Sequence, residues 1–141
     1  MSAGDGRAVC DASAGFDLLL AGRSGDQVAA ALDVKQLHVP ELFALEVCAA
    51  ARARLLSGDL TPARAGQVVA DVMRFPAVTW VHGSALLSRS WALRDTVSTY
   101  DAVYVALAEQ LDAVLVTADR RLASAVRRFA SCAVLDTGRA P

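Results

Sequence analysis

The feature that most constrains this chain is an alternation of short apolar runs of strand length with longer segments of helical period. RAVCDA (7–12), Leu37 to Val39, AVTWVH (77–82), AVLVT (113–117) and CAVLD (132–136) read as short, mostly buried strands. Between them lie segments whose apolar residues recur at helical spacing. The first spans residues 13–21 and is closed by Gly22; after the turn RSGDQ, a second runs from Gln27 to Val34. A long helix follows Pro40 to about Ser57. The next opens on GDLTPAR, where Thr61 caps and Pro62 takes the first-turn position whose missing N–H costs nothing. It runs to about Arg74 with Val68, Val69, Val72 and Met73 on its apolar side. Ser84–Arg94, Ser98–Leu111 and the amphipathic DRRLASAVRRF complete the set. Strands alternating with helices predict an α/β domain with a mostly parallel sheet.

The 141 residues suffice for one ordinary domain with a real core, and no repeat, low-complexity tract or linker divides residues 1–141, so a single domain is expected. Hydrophobic residues make up 55% of the chain, above the usual share. That surplus calls for a sheet covered on both faces, or for a surface buried against a partner. No apolar run approaches the ~20 residues that span a bilayer. The early candidate Phe16–Ala21 is short and contains Asp17, and no long apolar stretch follows Asp5 and Arg7 as in a signal peptide. A cytoplasmic protein is the expectation. Cys10, Cys48 and Cys132 form no CxxC, and with only His38 and His82 beside them they read as reduced thiols, not a zinc site or disulfide framework. A net charge of −1 excludes a globally basic nucleic-acid binder. The basic residues are nonetheless thirteen Arg and one Lys, and Arg makes planar, bidentate contacts to phosphate. A GC-rich codon bias explains the same excess.

Charged side chains are rarely buried unless paired or on metal. Yet Asp11, Glu46, Asp101 and Asp119 sit in or beside the most apolar stretches of the chain. Each has a local explanation. Asp101 completes the capping box Ser98-Thr99-Tyr100-Asp101, Asp119 could cap a helix, Asp11 could begin a turn, and Glu46 could lie on a solvated stripe. Taken together they suggest more, because ligands of open α/β sheets bind outside the carboxyl ends of the strands. Asp11 and Asp119 follow strands, Asp101 opens a helix, and Glu46 lies in the second turn of a helix entered directly from a strand. The helical face of Glu46 also carries Ala49, Ala50 and Ala53, which leave space before the carboxylate.

Two unit charges ~5 Å apart repel by roughly 3 kcal/mol at an effective dielectric near 20. A carboxylate cluster must therefore take up protons or bind a cation. Oxygen ligands select Mg²⁺ or Mn²⁺ over zinc, and such a metal activates water and offsets charge on a phosphate.

With VCDASA (9–14), VPELFALEVCAAARA (39–53), WALRDTVSTYDAVYVALAE (91–109) and LVTADRRLA (115–123), the chain resembles the PIN-domain ribonucleases, most closely the VapC toxins of bacterial toxin–antitoxin modules. The order and spacing fit across nearly the whole chain, and YDAVYVALAE followed by VTADRRLA is the specific part. Departures are small: Cys10 stands where an aliphatic residue is commoner, and Thr96 where Asn is frequent. The resemblance implies a PIN-like three-layer α/β/α fold with a five-stranded parallel sheet. It implies an acidic site of Asp11, Glu46, Asp101 and Asp119, with Asp11, Asp101 and Asp119 toward the metal and Asp11 and Asp101 its direct ligands. Ser13 and Thr117 match hydroxyl positions that support the site.

The implied activity is Mg²⁺-dependent (or Mn²⁺-dependent) endonucleolytic cleavage of structured RNA, tRNA or rRNA, leaving a 5′-phosphate. The implied partners are a second copy, in a homodimer, and a VapB-like antitoxin that covers the site. Arg52, Arg54, Arg94, Arg120 and Arg121 are candidate phosphate contacts or solvated helix faces. A PIN nuclease of RNA processing without an antitoxin, and a non-catalytic PIN-like RNA- or protein-binding module, remain alternatives. A phospho-accepting receiver or a haloacid-dehalogenase-like phosphatase does not fit: both need a late Lys, the one Lys is Lys35, and Asp11 begins DAS instead of DxD.

Overall fold

The structure is a computed structural model that describes residues 6–23, 26–34 and 36–138. Its strands are β1 (Arg7–Cys10), β2 (Gln36–Pro40), β3 (Ala77–Trp80), β4 (Val114–Thr117) and β5 (Val134–Asp136). Its helices are α1 (Ala12–Leu20), α2 (Asp26–Leu32), α3 (Leu42–Leu56), α4 (Pro62–Val72), α5 (Ser84–Ala92), α6 (Thr99–Leu111) and α7 (Arg120–Phe129). The strands form one parallel sheet in the order β3-β2-β1-β4-β5, as expected for a three-layer α/β/α fold. The turn expected at RSGDQ includes Ser24 and Gly25, which lie outside the described residues, as do Asp5 and Lys35.

Chain order runs outward from β1 through β2 to β3, then returns to place β4 on the other side of β1. The switch point of the sheet is therefore the gap between the ends of β1 and β4. Helices α1, α3 and α4 pack on one another on one face; α5 and α6 pack together on the other, with α6 against β1, β2 and β4, and α7 lies against β4 and β5. Helix α6 is apolar nearly all round because it lies between the sheet and α5, and residues 102–108 are all buried.

Local chemistry sets the element ends. Thr61 Oγ1 accepts the Arg64 N–H with Pro62 at the first position, and Ser98 Oγ accepts the Asp101 N–H at the start of α6. The first strand is shorter than expected. It ends at Cys10, because Asp11 is the N-cap of α1: its carboxylate accepts the Ala14 N–H and its carbonyl the Gly15 N–H. Gly15 is needed where α1 meets α3, since a Cβ there would lie 2.5 Å from the Phe43 ring. That close approach brings the helix bearing Glu46 beside the one capped by Asp11.

The first outlet expected for the apolar surplus is present. The sheet is covered on both faces, yet Leu45, Leu56, Met73, Val81 and Trp91 remain largely exposed. The three cysteines are free. No helix among the described residues is long and apolar enough to cross a membrane.

Candidate active site

Asp11 leaves the end of β1 at the switch point and is 96% buried, with 4% of its surface exposed. Its backbone N–H continues the sheet by donating to the Val116 carbonyl at 3.0 Å. One carboxylate oxygen accepts the Ser13 hydroxyl at 2.7 Å and the Ala14 N–H at 2.9 Å; the other accepts the Thr117 hydroxyl. Thr117, wholly buried at the end of β4, also accepts the Asp119 N–H at 3.0 Å, and Ser13 accepts the Ala118 N–H at the same distance. Ser13 and Thr117 thus tie the two strand ends into one network around Asp11.

Glu46, in the second turn of α3, is half-buried and accepts the Tyr104 hydroxyl at 2.7 Å. Asp101 stands in the first turn of α6, partly buried. Asp119 is exposed and caps α7, accepting the N–H groups of Arg121 and Leu122 at 2.9 and 3.2 Å. The helix cap expected at Asp119 is therefore present, and Asp11, where a turn was expected, caps α1 as well. These caps occupy one oxygen of Asp119 and part of Asp11.

Electrostatics shows that the four are neighbours. Burial pushes the Asp11 carboxyl above its ordinary value, Ala14, Thr117 and Ser13 oppose the shift, and the charge of Asp101 adds to it. Glu46 is raised by burial, lowered by its Tyr104 bond, and raised again by Asp101 and Asp11. Asp101 is raised by burial, lowered by Ser98, raised by Asp119 and lowered by Arg121. Each of these three carboxyls feels at least one other acid of the set and holds its proton more tightly for it.

An open groove of about 850 Å³ starts at Asp101 and Asp119 and is walled by Arg94, Arg120, Arg121 and Arg128. A second of about 560 Å³ opens on the other side, lined by Ser13, Phe16, Glu46, Ala50, Ala53 and Arg54, with Asp119 shared between the two. The small side chains expected before Glu46 thus do leave space, through Ala50 and Ala53. Of the candidate arginines, Arg94, Arg120 and Arg121 line the first groove and Arg54 the second, while exposed Arg52 lines neither.

Tyr104 and Arg128 were not singled out in the sequence, although each left a signal there. Tyr104 lies three residues after Asp101 on one helix face, a polar tip in an aliphatic run. Arg128 lies seven after Arg121, again on one face.

Residues 8–127 match the PIN domain family. The chain belongs to that family. It is 42% identical over 114 residues to the VapC ribonuclease Mb0985 of Mycobacterium bovis, covering 81% of this chain and 87% of that protein. Ribonuclease VapC3 of Mycobacterium tuberculosis is 40% identical over 121 residues, 83% of this chain and 85% of the relative. Ribonuclease VapC12 of the same species is 35% identical over 115 residues, with coverages of 82% and 88%. The crystal structure of PAE2754 from Pyrobaculum aerophilum shares the fold, with a TM-score of 0.64 and 22% identity, over 91% of this chain and 82% of that one. Among PIN-domain proteins the chain thus stands with the VapC ribonucleases.

Nucleases of the PIN family use a divalent metal, and the donor set here suits one. Its side-chain donors are all oxygens, and its carboxyls are held above their ordinary values partly by each other. Among the described residues no three such side chains close into a cage.

Proposed function

We propose that this chain is a Mg²⁺-dependent endoribonuclease (Mn²⁺ also serving), the toxin of a type II toxin–antitoxin pair. The observation that supports it most is that Asp11, Glu46 and Asp101 are gathered at the switch point of a PIN-domain sheet, their carboxyls raised first by burial and further by the charge of a neighbouring acid. Such a cluster relaxes by taking up protons or a cation, and RNA phosphodiesters are the substrate in whose hydrolysis that cation is useful. The VapC ribonucleases among its relatives support RNA as the substrate.

In this reading Asp11 and Asp101, with Asp119, hold the metal, which when bound offsets charge on the phosphate and makes water a stronger nucleophile. Ser13 and Thr117 hold the Asp11 carboxylate in one orientation. Tyr104 holds Oε1 of Glu46 and leaves the other oxygen to accept the proton of the attacking water. The substrate is a structured RNA, tRNA or rRNA, cut to leave a 5′-phosphate. A VapB-like antitoxin neutralises the site, two copies pair as a homodimer, and the protein works in the cytoplasm as one PIN domain across residues 1–141. Exposed Leu45, Leu56, Met73, Val81 and Trp91 are suitable surfaces for these partners.

The test is cleavage of purified tRNA and rRNA with Mg²⁺, with Mn²⁺ and with EDTA, followed by sequencing of the 5′-phosphate ends. Cuts at defined positions that vanish in EDTA and in Asp101→Asn are expected. Cutting that survives both changes would refute the reading.

A further inference from the structure

We propose that the outer face of α7 is a phosphate track that carries the RNA strand away from the acidic site, ending on Arg128. The proposal rests on the nuclease reading above and adds to it a direction and a residue. Helix α7 starts at the site, because Asp119 is its N-cap. Arg121, Ser124 and Arg128 follow at intervals of three and four residues, so they share one helical face, and all three line the groove that begins at Asp101. Leu122, Ala123, Ala125 and Val126 are buried and fix that face outward.

The charge on this face is available. Arg74, Arg89 and Arg120 are each within ion-pair distance of a carboxylate, whereas Arg128 has no such pair among the described residues. Its guanidinium lies 5.4 Å from the centre of the half-exposed Phe129 ring. Arg94, on the opposite wall, sits 4.8 Å over the exposed Trp91 ring and donates to the Trp91 carbonyl at 3.0 Å. A cation held over a ring keeps its outward edge free for a phosphate, and bases stack on such arginine and aromatic planes.

From Asp119 to Arg128 the helix rises ~13 Å. That is the length of roughly four nucleotides of a stacked strand at ~3.4 Å each. Continuity with the acidic site and a row of cations favour a nucleic-acid strand over an acidic protein segment.

Arg127 supplies the control. It stands in the same last turn of α7 and favours the helix dipole as Arg128 does, but it does not line the groove. Binding of a labelled single-stranded oligoribonucleotide is measured in EDTA, across a range of NaCl, for the wild type, Arg128→Ala and Arg127→Ala. The slope of log affinity against log salt should fall by about 0.7 in Arg128→Ala, the value for one phosphate contact on a single strand. Arg127→Ala should keep the wild-type slope.

With Mg²⁺, Arg128→Ala should raise KM for RNA by about tenfold with kcat within about twofold, the pattern of a contact made equally in ground and transition states. Shortening the RNA from one end only should erase that difference. An unchanged slope in Arg128→Ala, or an equal fall in Arg127→Ala, overturns the track. So does a loss confined to an acidic protein partner with RNA binding intact. A wild type that cuts RNA while Arg128→Ala behaves identically removes the track alone. A wild type that neither binds nor cuts RNA removes the nuclease reading with it.

Discussion

Glu109 and the cluster of Asp11, Glu46 and Asp101 are all at least partly buried, yet their carboxyls shift in opposite directions. At Glu109, on α6, burial pushes the carboxyl up, but bonds from Arg89 and Ser131 and the Arg89 charge bring it below its ordinary value. Arg89 grips both oxygens, at 2.8 and 3.1 Å, and Ser131 gives its N–H and hydroxyl at 3.0 Å each. At Asp11, Glu46 and Asp101 the protein supplies hydroxyl and N–H donors and, at Asp101, only the influence of Arg121, while the acids face one another and all three carboxyls are raised. Glu109 carries its counter-charge inside the fold and acts as a clasp between α5, α6 and the loop before β5. The acid cluster carries less counter-charge of its own: hydroxyl and N–H donors oppose the shifts, and a cation, Arg121, does so at Asp101 alone.

The comparison breaks most visibly at Asp101. Asp101→Asn should lower cleavage by on the order of a hundredfold or more, with metal-free stability unchanged or raised. The Ser98 cap on the backbone N–H survives the change, so a clear fall in the EDTA melting temperature would instead mean that Asp101 is structural.

Tyr104→Phe keeps the ring in the core and removes only the hydroxyl held by Glu46. Cleavage should fall about tenfold, as for other groups that orient a catalytic side chain, with little change in melting temperature. The effect should disappear in a Glu46→Gln background, since the two act as a unit. Additive losses would show that Tyr104 does not work through Glu46.

Glu109→Gln belongs to the other half of the comparison. It strips a two-point arginine contact and leaves donors short of an acceptor, which should cost about 1–2 kcal/mol in denaturant unfolding. Its kcat should stay at the wild-type value and Mg²⁺ should not restore the lost stability. Rescue by Mg²⁺ would mean that the clasp and the site are one system.

The smallest effect is a pair of opposed pH slopes. Where folded pKa values are raised, the native state holds protons that the unfolded chain has released. Stability of the metal-free protein then falls as pH rises from about 4, the ordinary carboxylate range, through the raised values of Asp11, Glu46 and Asp101. Glu109 is depressed, so its contribution is present above its ordinary pKa and is lost as pH falls through the lowered one. Denaturation between about pH 2 and pH 7 should show Mg²⁺ flattening the neutral side alone. Asp101→Asn should flatten the same side, and Glu109→Gln only the acid side.

Much of this was legible along the chain. Alternating strand and helix patterns located every element to within a few residues, because buried parallel strands and a helix buried all round leave runs that nothing else produces. Thr61-Pro62 and Ser98 marked helix starts through chemistry local to each turn. The four acids stood out because carboxylates in apolar stretches are unusual. Less legible were the partners of those acids. Ser13 and Thr117 came through family likeness, and Tyr104 and Arg128 did not stand out, since nothing in a linear reading says that the Glu46 side chain of α3 meets the Tyr104 hydroxyl of α6 or that one face of α7 borders the site.

The sequence by itself determined the period of each segment, the identity of the acids and the family, for these depend on neighbours within a few turns or on ordered motifs. Only the tertiary structure decided that Asp11 ends no strand but caps a helix, that Glu46 rests on Tyr104 58 positions away, and that the Glu109 carboxyl is lowered while that of Asp101 is raised. The physical reason is that a carboxylate's state follows from the charges and donors around it in space, and here the sheet's switch point gathers those from four separate parts of the chain.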